Sequence, residues 1–194
     1  MVAQDLEWAS TKIAGCYRVK PFFAKDPRGI FCKPYSWDNF VHPLGTRCND
    51  KQFPVPFAPQ EVYYSSSYKR VVRGLHIQKD TAKLVTCVKG FIYDVVVDLR
   101  PNSPTYTQWV GIYRHENESI FVPAGCAHGF EALDTALVMY VCDKPYDQAN
   151  DSGIRYDDKF IAVDWISPID RVIVSPRDKK LPTFAEWRKA HDTF

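Results

Sequence analysis

The stretch Val72-Arg73-Gly74-Leu75-His76-Ile77-Gln78, with Lys83-Leu84-Val85 just beyond it, decides how the rest of the chain is read. It places an arginine, a histidine, a glutamine and a lysine on two consecutive short apolar strands. Histidine is the side chain best suited to moving protons near neutral pH, and lysine and arginine stabilise the anion that such a transfer creates. A single histidine in an apolar strand is usually a hydrogen-bonded core residue. Four polar side chains converging on one short segment argue against that, because burying them all without a task is costly. Strand parity puts His76 and Gln78 on one face and Arg73 on the other. His76 and Arg73 reach one site only if Gly74 marks a bulge or bend, as glycine in a strand often does.

Outward from this stretch, the pattern is that of a β-protein. Phe91, Tyr93, Val95, Val97 and Leu99 share one face by period two, with Asp94 and Asp98 on the other, which fits an antiparallel sandwich better than a buried parallel strand. Pro101-Asn102-Ser103-Pro104 is a turn; Gln108 to Tyr113 and Ser119 to Val122 read as further strands, and Glu131 to Cys142 as another turn and strand. Asp147 to Gly153 reads as loop. The N-terminal third is a set of short extended pieces, with a turn at Asp26-Pro27-Arg28-Gly29 before Ile30-Phe31-Cys32. From Trp37 to Pro59, prolines 43, 54, 56 and 59 with Gly45, Asn49 and Asp50 predict a long irregular connection of the kind that forms lids or insertions. Thr183-Phe184-Ala185-Glu186 is a capping box, predicting a short helix over Phe184 to His191. Many short strands and one late helix mean a β-sandwich or barrel, expected as one domain over residues 1–194.

Charge and composition narrow the function. The 25 basic and 23 acidic residues leave a net charge of +2, without the basic excess of a nucleic-acid-binding domain. The apolar run from Ala136 to Cys142 falls far short of the roughly 20 residues that cross a membrane. Cysteines 16, 32, 48, 87, 126 and 142 form no C-x-x-C pair, and the N-terminus carries no apolar signal segment. They read as reduced thiols of a soluble cytoplasmic protein. Aromatic residues make up 14% of the chain, suiting a β-rich core and stacking on flat ligands.

Arg73-Gly74-Leu75-His76-x-Gln78 with Lys83-Leu84-Val85 resembles the signature of the nucleotide-sugar 3,5-epimerases, the dTDP-4-dehydrorhamnose 3,5-epimerase family of the cupin superfamily. The resemblance continues through Val95-x-Val97-Asp98-Leu99-Arg100, Ser103-Pro104-Thr105-x-x-Gln108-Trp109-Val110-Gly111 and Pro123-x-Gly125-x-Ala127-His128-Gly129-Phe130. It implies an all-β cupin jelly roll and a homodimer acting on a nucleotide-linked 4-keto-6-deoxy sugar. It also implies roles: His76 as base, oriented by Asp178; Lys83 stabilising the enolate; Tyr140 returning a proton from the other sugar face. Arg28, in Asp26-x-Arg28-Gly29-x-Phe31, matches the phosphate-binding arginine of an arm that reaches the partner's site. Phe31, Gln60, Arg73, His128 and Tyr146 are further substrate-binding candidates.

Two features qualify the expectation. Metal-binding cupins use His-x-His, a glutamate and a later histidine; here only Pro123-x-Gly125-x-x-His128 remains, while Gln78 and Lys83 stand at two ligand positions. A protonated lysine repels a divalent ion, so no metal and no cofactor are expected. Lys33, and Glu61-Val62-Tyr63 in place of an Asp-Asn-His-like run, depart from the family near its nucleotide side, leaving thymidine, cytidine and guanosine open as the base. The rival readings are a single-centre 3- or 5-epimerase or ketoisomerase, a non-catalytic sugar-binding cupin, and a metal-dependent oxygenase.

Overall fold

The computed structural model describes residues 2–40 and 53–191. The N-terminal strands are β1 (Val2–Gln4), β2 (Glu7–Ser10), β3 (Tyr17–Lys20), β4 (Phe22–Asp26) and β5 (Gly29–Lys33), followed by the single-turn α1 (Trp37–Phe40). The body comprises β6 (Glu61–Ser67), β7 (Val71–Gln78), β8 (Lys83–Lys89), β9 (Ile92–Asp98), β10 (Trp109–Arg114), β11 (Glu118–Val122), β12 (Cys126–Ala132), β13 (Ala136–Cys142) and β14 (Asp151–Gly153). The C-terminal part adds β15 (Ile173–Val174), the short α2 (Pro176–Lys179) and α3 (Phe184–His191).

Two six-stranded sheets form the sandwich. One runs β10-β9-β12-β7-β14, with β15 also on β7; the other runs β2-β3-β11-β8-β13-β6, and β1-β4-β5 make a separate small sheet. Every pairing is antiparallel except β15 with β7. The all-β expectation holds, and the helix at Phe184–His191 lies where the capping box places it. There the Thr183 N–H donates to Glu186 Oε2 at 2.8 Å and the Glu186 N–H donates back to Thr183 Oγ1 at 3.3 Å.

Three apolar layers explain why the strands read as they do. Val85, Cys87, Ile120 and Val138 meet Ile92, Val96 and Phe130 between the sheets. Tyr93, Val95, Val97 and Leu99 face outward from the first sheet, where Tyr156, Ile161, Trp165, Phe184 and Trp187 cover them. Phe40, Phe53 and Phe57 cover the outer face of the second sheet against Leu84, Phe121 and Val141. The period-two face in β9 is thus real, but β9 and β12 are buried on both faces.

The loop reading needs correction at one of its two sites. In the connection between residues 37 and 59, the described part consists of α1 and an irregular stretch from residue 53, with Phe40, Phe53 and Phe57 buried in the core. Pro43, Gly45, Cys48, Asn49 and Asp50 lie outside the described residues. Residues Asp151–Gly153, read as loop, pair with Gln78, Ile77 and His76 as β14. Three residues are too few for a periodic signal, and only the pairing reveals the strand.

A carboxylate locks the turn after β9. Asp98, fully buried, accepts from Arg100 Nε at 2.9 Å, Ser103 Oγ at 2.5 Å and Thr105 Oγ1 at 2.6 Å. Burial alone would raise its pKa, but the bonds from Arg100, Ser103 and Thr105 outweigh it and hold the carboxyl down to about 2. A depressed carboxyl contributes stability above its unfolded pKa of about 4 and loses it as pH falls toward the folded value. Replacing Asp98 with Asn should therefore cost on the order of 2 kcal/mol at pH 7, measured by urea unfolding. The gap to the parent should stay constant down to about pH 5 and narrow below pH 4; a gap independent of pH would rule this out.

Candidate active site

β7 and β8 follow one another in sequence but belong to opposite sheets, so His76 and Lys83 face each other across the mouth of the sandwich. The cavity between them, ≈ 140 Å³, is lined by Arg73, His76 and Lys83 with Tyr63, Ser65, His128, Gly129, Phe130 and Tyr140. Five of the side chains singled out in the sequence thus meet in one place.

The bend at Gly74 brings Arg73 and His76 together. Gly74 has φ +117° and joins Leu75 through a cis peptide. β12 pairs His128 with His76 but Phe130 with Arg73, so one residue drops out of register. That slip moves Arg73 onto the face of His76, as a β-bulge does. The approach is close: a Cβ on Gly74 would sit 2.7 Å from Gly129 Cα and 2.8 Å from His128 O. Arg73 is then tied to the rim, its Nε donating to Ser67 Oγ at 2.8 Å and its Nη2 to Ser66 O at 2.9 Å.

Asp178 stands behind His76. Its Oδ1 is 2.8 Å from His76 Nε2, and its Oδ2 accepts the Gly74 N–H at 3.1 Å. Asp178 lies in α2, where its own N–H caps onto Ser175 Oγ at 3.0 Å. Burial works against its charge, yet the bond from His76, reinforced by Gly74 and Ser175, keeps the carboxyl below the usual range. A carboxylate on one imidazole nitrogen fixes the ring's orientation and leaves the other nitrogen free to take a proton. His76 keeps 30% of its side chain exposed, so this nitrogen is within reach of a ligand.

Lys83 and Tyr140 complete the cavity from the second sheet. Lys83 is 8% exposed; burial lowers its amine, partly offset by Cys142, Asp151 and Glu61. Tyr140 stacks on Tyr63 at 4.7 Å and 14°, its partner in the β13–β6 register, and meets the His128 ring edge-on at 6.0 Å. Burial raises the phenol well above its ordinary value, keeping it protonated at neutral pH. Ser65 Oγ is buried, makes no hydrogen bond of normal geometry, and lies near enough to Tyr140 to weigh on its phenol.

The remaining predicted residues lie elsewhere in this chain. Arg28 is 87% exposed and paired with Asp26. With Phe31 it borders a separate groove on the small sheet, alongside Phe22, Ala24 and Ile30. Gln60 is exposed just ahead of β6. The Tyr146 hydroxyl donates to Asp151 at 2.9 Å on the surface. Conversely, Tyr63, Ser65 and Asp94 carry no local signal as site residues. Tyr63 enters through its register with Tyr140, and Asp94 through a 2.5 Å contact with His128 Nε2.

An antiparallel double sheet of the cupin kind, opening on a small cavity of proton-carrying side chains, defines an enzyme of the cupin sandwich class. The model of the dTDP-4-dehydrorhamnose 3,5-epimerase family matches residues 10–186. The dTDP-4-dehydrorhamnose 3,5-epimerase of Escherichia coli K12 is 36% identical, covering 91% of this chain and 93% of that protein. The dTDP-4-dehydrorhamnose 3-epimerase of Streptomyces niveus is 35% identical, covering 92% and 84% respectively. The crystal structure of the Legionella pneumophila dTDP-6-deoxy-D-glucose-3,5-epimerase, in complex with dTDP-4-keto-L-rhamnose, matches with a TM-score of 0.80 and 30% identity over 92% of each chain. The chain belongs to the dTDP-4-dehydrorhamnose 3,5-epimerase family, whose members are isomerases of deoxysugar biosynthesis.

Because Gly74 meets backbone and not a flexible side chain, Gly74→Ala should lower stability by at least ~2 kcal/mol through overpacking at a positive φ. It should also separate Arg73 from His76. Chemical unfolding that leaves the variant as stable as the parent would show that the strands do not approach this closely.

Proposed function

We propose that this enzyme inverts C3 and C5 of a dTDP-linked 4-keto-6-deoxyhexose, without a metal, as a cytoplasmic homodimer. The observation that carries this reading is the His76–Asp178 pair sharing one cavity with Lys83 and Tyr140. His76 takes the proton next to the C4 ketone; the C–H electron pair moves into the ring and the carbonyl oxygen becomes an enolate. Lys83 donates to that oxygen, and its lowered amine makes it a better donor to the developing charge. Tyr140 gives its phenolic proton to the carbon from the opposite face; the phenolate then recovers a proton from solvent and His76 releases to solvent the proton it took. His128 and Arg73 hold the sugar end.

The cavity is far smaller than the roughly 300–1,000 Å³ of sites that enclose a drug-sized ligand, so it suits a sugar ring while the nucleotide lies outside it. Arg28 and Phe31 sit on the small sheet, away from the cavity, which suits an arm serving a second copy's site; Gln60 and Tyr146 extend the nucleotide surface. Among the described residues no group of three or more His, Cys, Asp and Glu is arranged to hold a metal ion. The five cysteines among the described residues are free, which suits a reducing compartment. The 3-epimerase of Streptomyces niveus favours a second reading, inversion at C3 alone.

The test is incubation with dTDP-4-keto-6-deoxyglucose in deuterated water, with NMR following exchange and configuration at both carbons. Exchange with inversion at C3 and C5 is expected; exchange at one carbon selects the single-centre reading, and none at either rejects epimerisation of this substrate. His76→Asn should slow exchange at both carbons by about 10²–10⁴-fold. Tyr140→Phe should retain wash-in of deuterium but lose inversion. Inversion at the parent rate in Tyr140→Phe would assign the second proton to another group.

Arg28→Ala should raise KM much more than it lowers kcat, the mark of lost ground-state phosphate binding. Steady-state kinetics with unchanged KM would remove Arg28 from the substrate site.

A further inference from the structure

At the end of β10 a guanidinium is held inside the core. Arg114 is 3% exposed, and its Nε and Nη2 have no hydrogen-bond partner among the described residues. Its Nε lies 3.8 Å from Asp94 Oδ2, and Asp94 Oδ1 lies 2.5 Å from His128 Nε2. Asp94 and His128 are 1% and 5% exposed. The strand register builds this line. Arg114 pairs with Ile92 across β10–β9, so it is diagonal to Asp94; His128 pairs with Val96 across β12–β9, diagonal on the other side. Diagonal neighbours are within reach of long side chains. The line ends in the cavity, which the His128 ring helps to wall.

A buried arginine with unmet donors is a poor source of stability. Each unsatisfied polar group costs about 1–3 kcal/mol, and an apolar residue of similar volume is often neutral or better. Glu118, Arg18 and Cys16 also act on Arg114, but burial is the largest influence and Asp94 the strongest one favouring its charge. From the cavity side, Tyr140 is the ring against His128. The carboxylate in ion-pair contact with Arg114 is Asp94, and Asp94 in turn contacts His128.

We infer that Arg114 is a positioning residue for His128: its charge compensates the buried Asp94 carboxylate, which holds the imidazole with Nε2–H turned to Asp94 and Nδ1 left for the sugar. An ionised carboxylate only accepts hydrogen bonds, so it requires the proton on Nε2. Without its counter-charge, the carboxylate is left buried beside the ring with no cation against it, and its hold on the Nε2–H orientation is lost. The nitrogen offered to the cavity is then no longer fixed as an acceptor. The sugar as ligand rests on the function proposed above; the arrangement of the three side chains does not.

The experiment reads the ring directly. Protein labelled with ¹⁵N-histidine, free of substrate, is compared at neutral pH as parent, Arg114→Met, Arg114→Lys and Asp94→Leu by long-range ¹H–¹⁵N correlation. The parent should show the His128 proton at Nε2. Arg114→Met should place a proton on Nδ1 in all or part of the population, and Arg114→Lys should restore the parent pattern. Asp94→Leu, which removes the acceptor altogether, should give the same change as Arg114→Met, and covers the case in which Arg114→Met does not fold. A parent-like ring spectrum in folded Arg114→Met, or in Asp94→Leu, overturns the inference. Because no substrate is present, a parent inactive on the sugar would sink the epimerase reading and leave this result standing.

Discussion

The close approach of β7 and β12 at Gly74 and Gly129 is the constraint on which the site depends. A Cβ on Gly129 would lie 2.5 Å from Arg73 O, so neither strand tolerates a side chain at the crossing. The slipped register lets a single strand present residues of both parities to one cavity. It also frees the Gly74 N–H from the ladder, and Asp178 takes it up. The same carboxylate therefore completes the bulge and orients His76. Strand geometry and site chemistry share one hydrogen-bonding group here.

Sheets covered on both faces leave little water for polar groups, and this chain answers with buried acids that accept backbone N–H groups. Glu131, fully buried, accepts from Ile166 and Ser167. Asp158 accepts from Phe160, Ile161 and the first residue of α3, Phe184. Asp178 is the third such anchor. Glu131 and Asp178 fasten the irregular C-terminal segment to the first sheet, and Asp158 ties that segment to the start of α3, which is how a residue 102 positions away in sequence reaches His76. A loop held only by apolar contact would not fix a carboxylate to within a hydrogen bond.

The sandwich and the late helix were legible because periodicity and capping are short-range signals, and His76 and Lys83 because they stand in one short polar stretch; His128 and Tyr140 entered through the family resemblance. The bend at Gly74 was legible for a different reason: parity made it necessary. What escaped reading depends on register. Tyr63 joins the cavity only because β6 sets it opposite Tyr140, and Arg114 reaches Asp94 only along a diagonal between strands. β14 is too short to have a period, and the packing of Phe53 and Phe57 was hidden in a proline-rich connection that looked like surface. Asp94 and Asp98 alternate with apolar neighbours as solvent-facing residues do; a second apolar layer turns them into core.

Burial has a further effect on how this protein ages. Cys16 and Cys87 are driven up to about 12 by desolvation, and Cys126 higher still. Thiolate is the form that oxidants and alkylating reagents attack, so these three are chemically quiet as long as the sandwich stays closed. Cys32 on β5 is only half-buried. Among the described thiols it is the one outside the buried core, on the small sheet and away from the cavity, although burial raises its thiol too. Reaction of the core cysteines with a thiol reagent then reports not reactivity but opening of the fold.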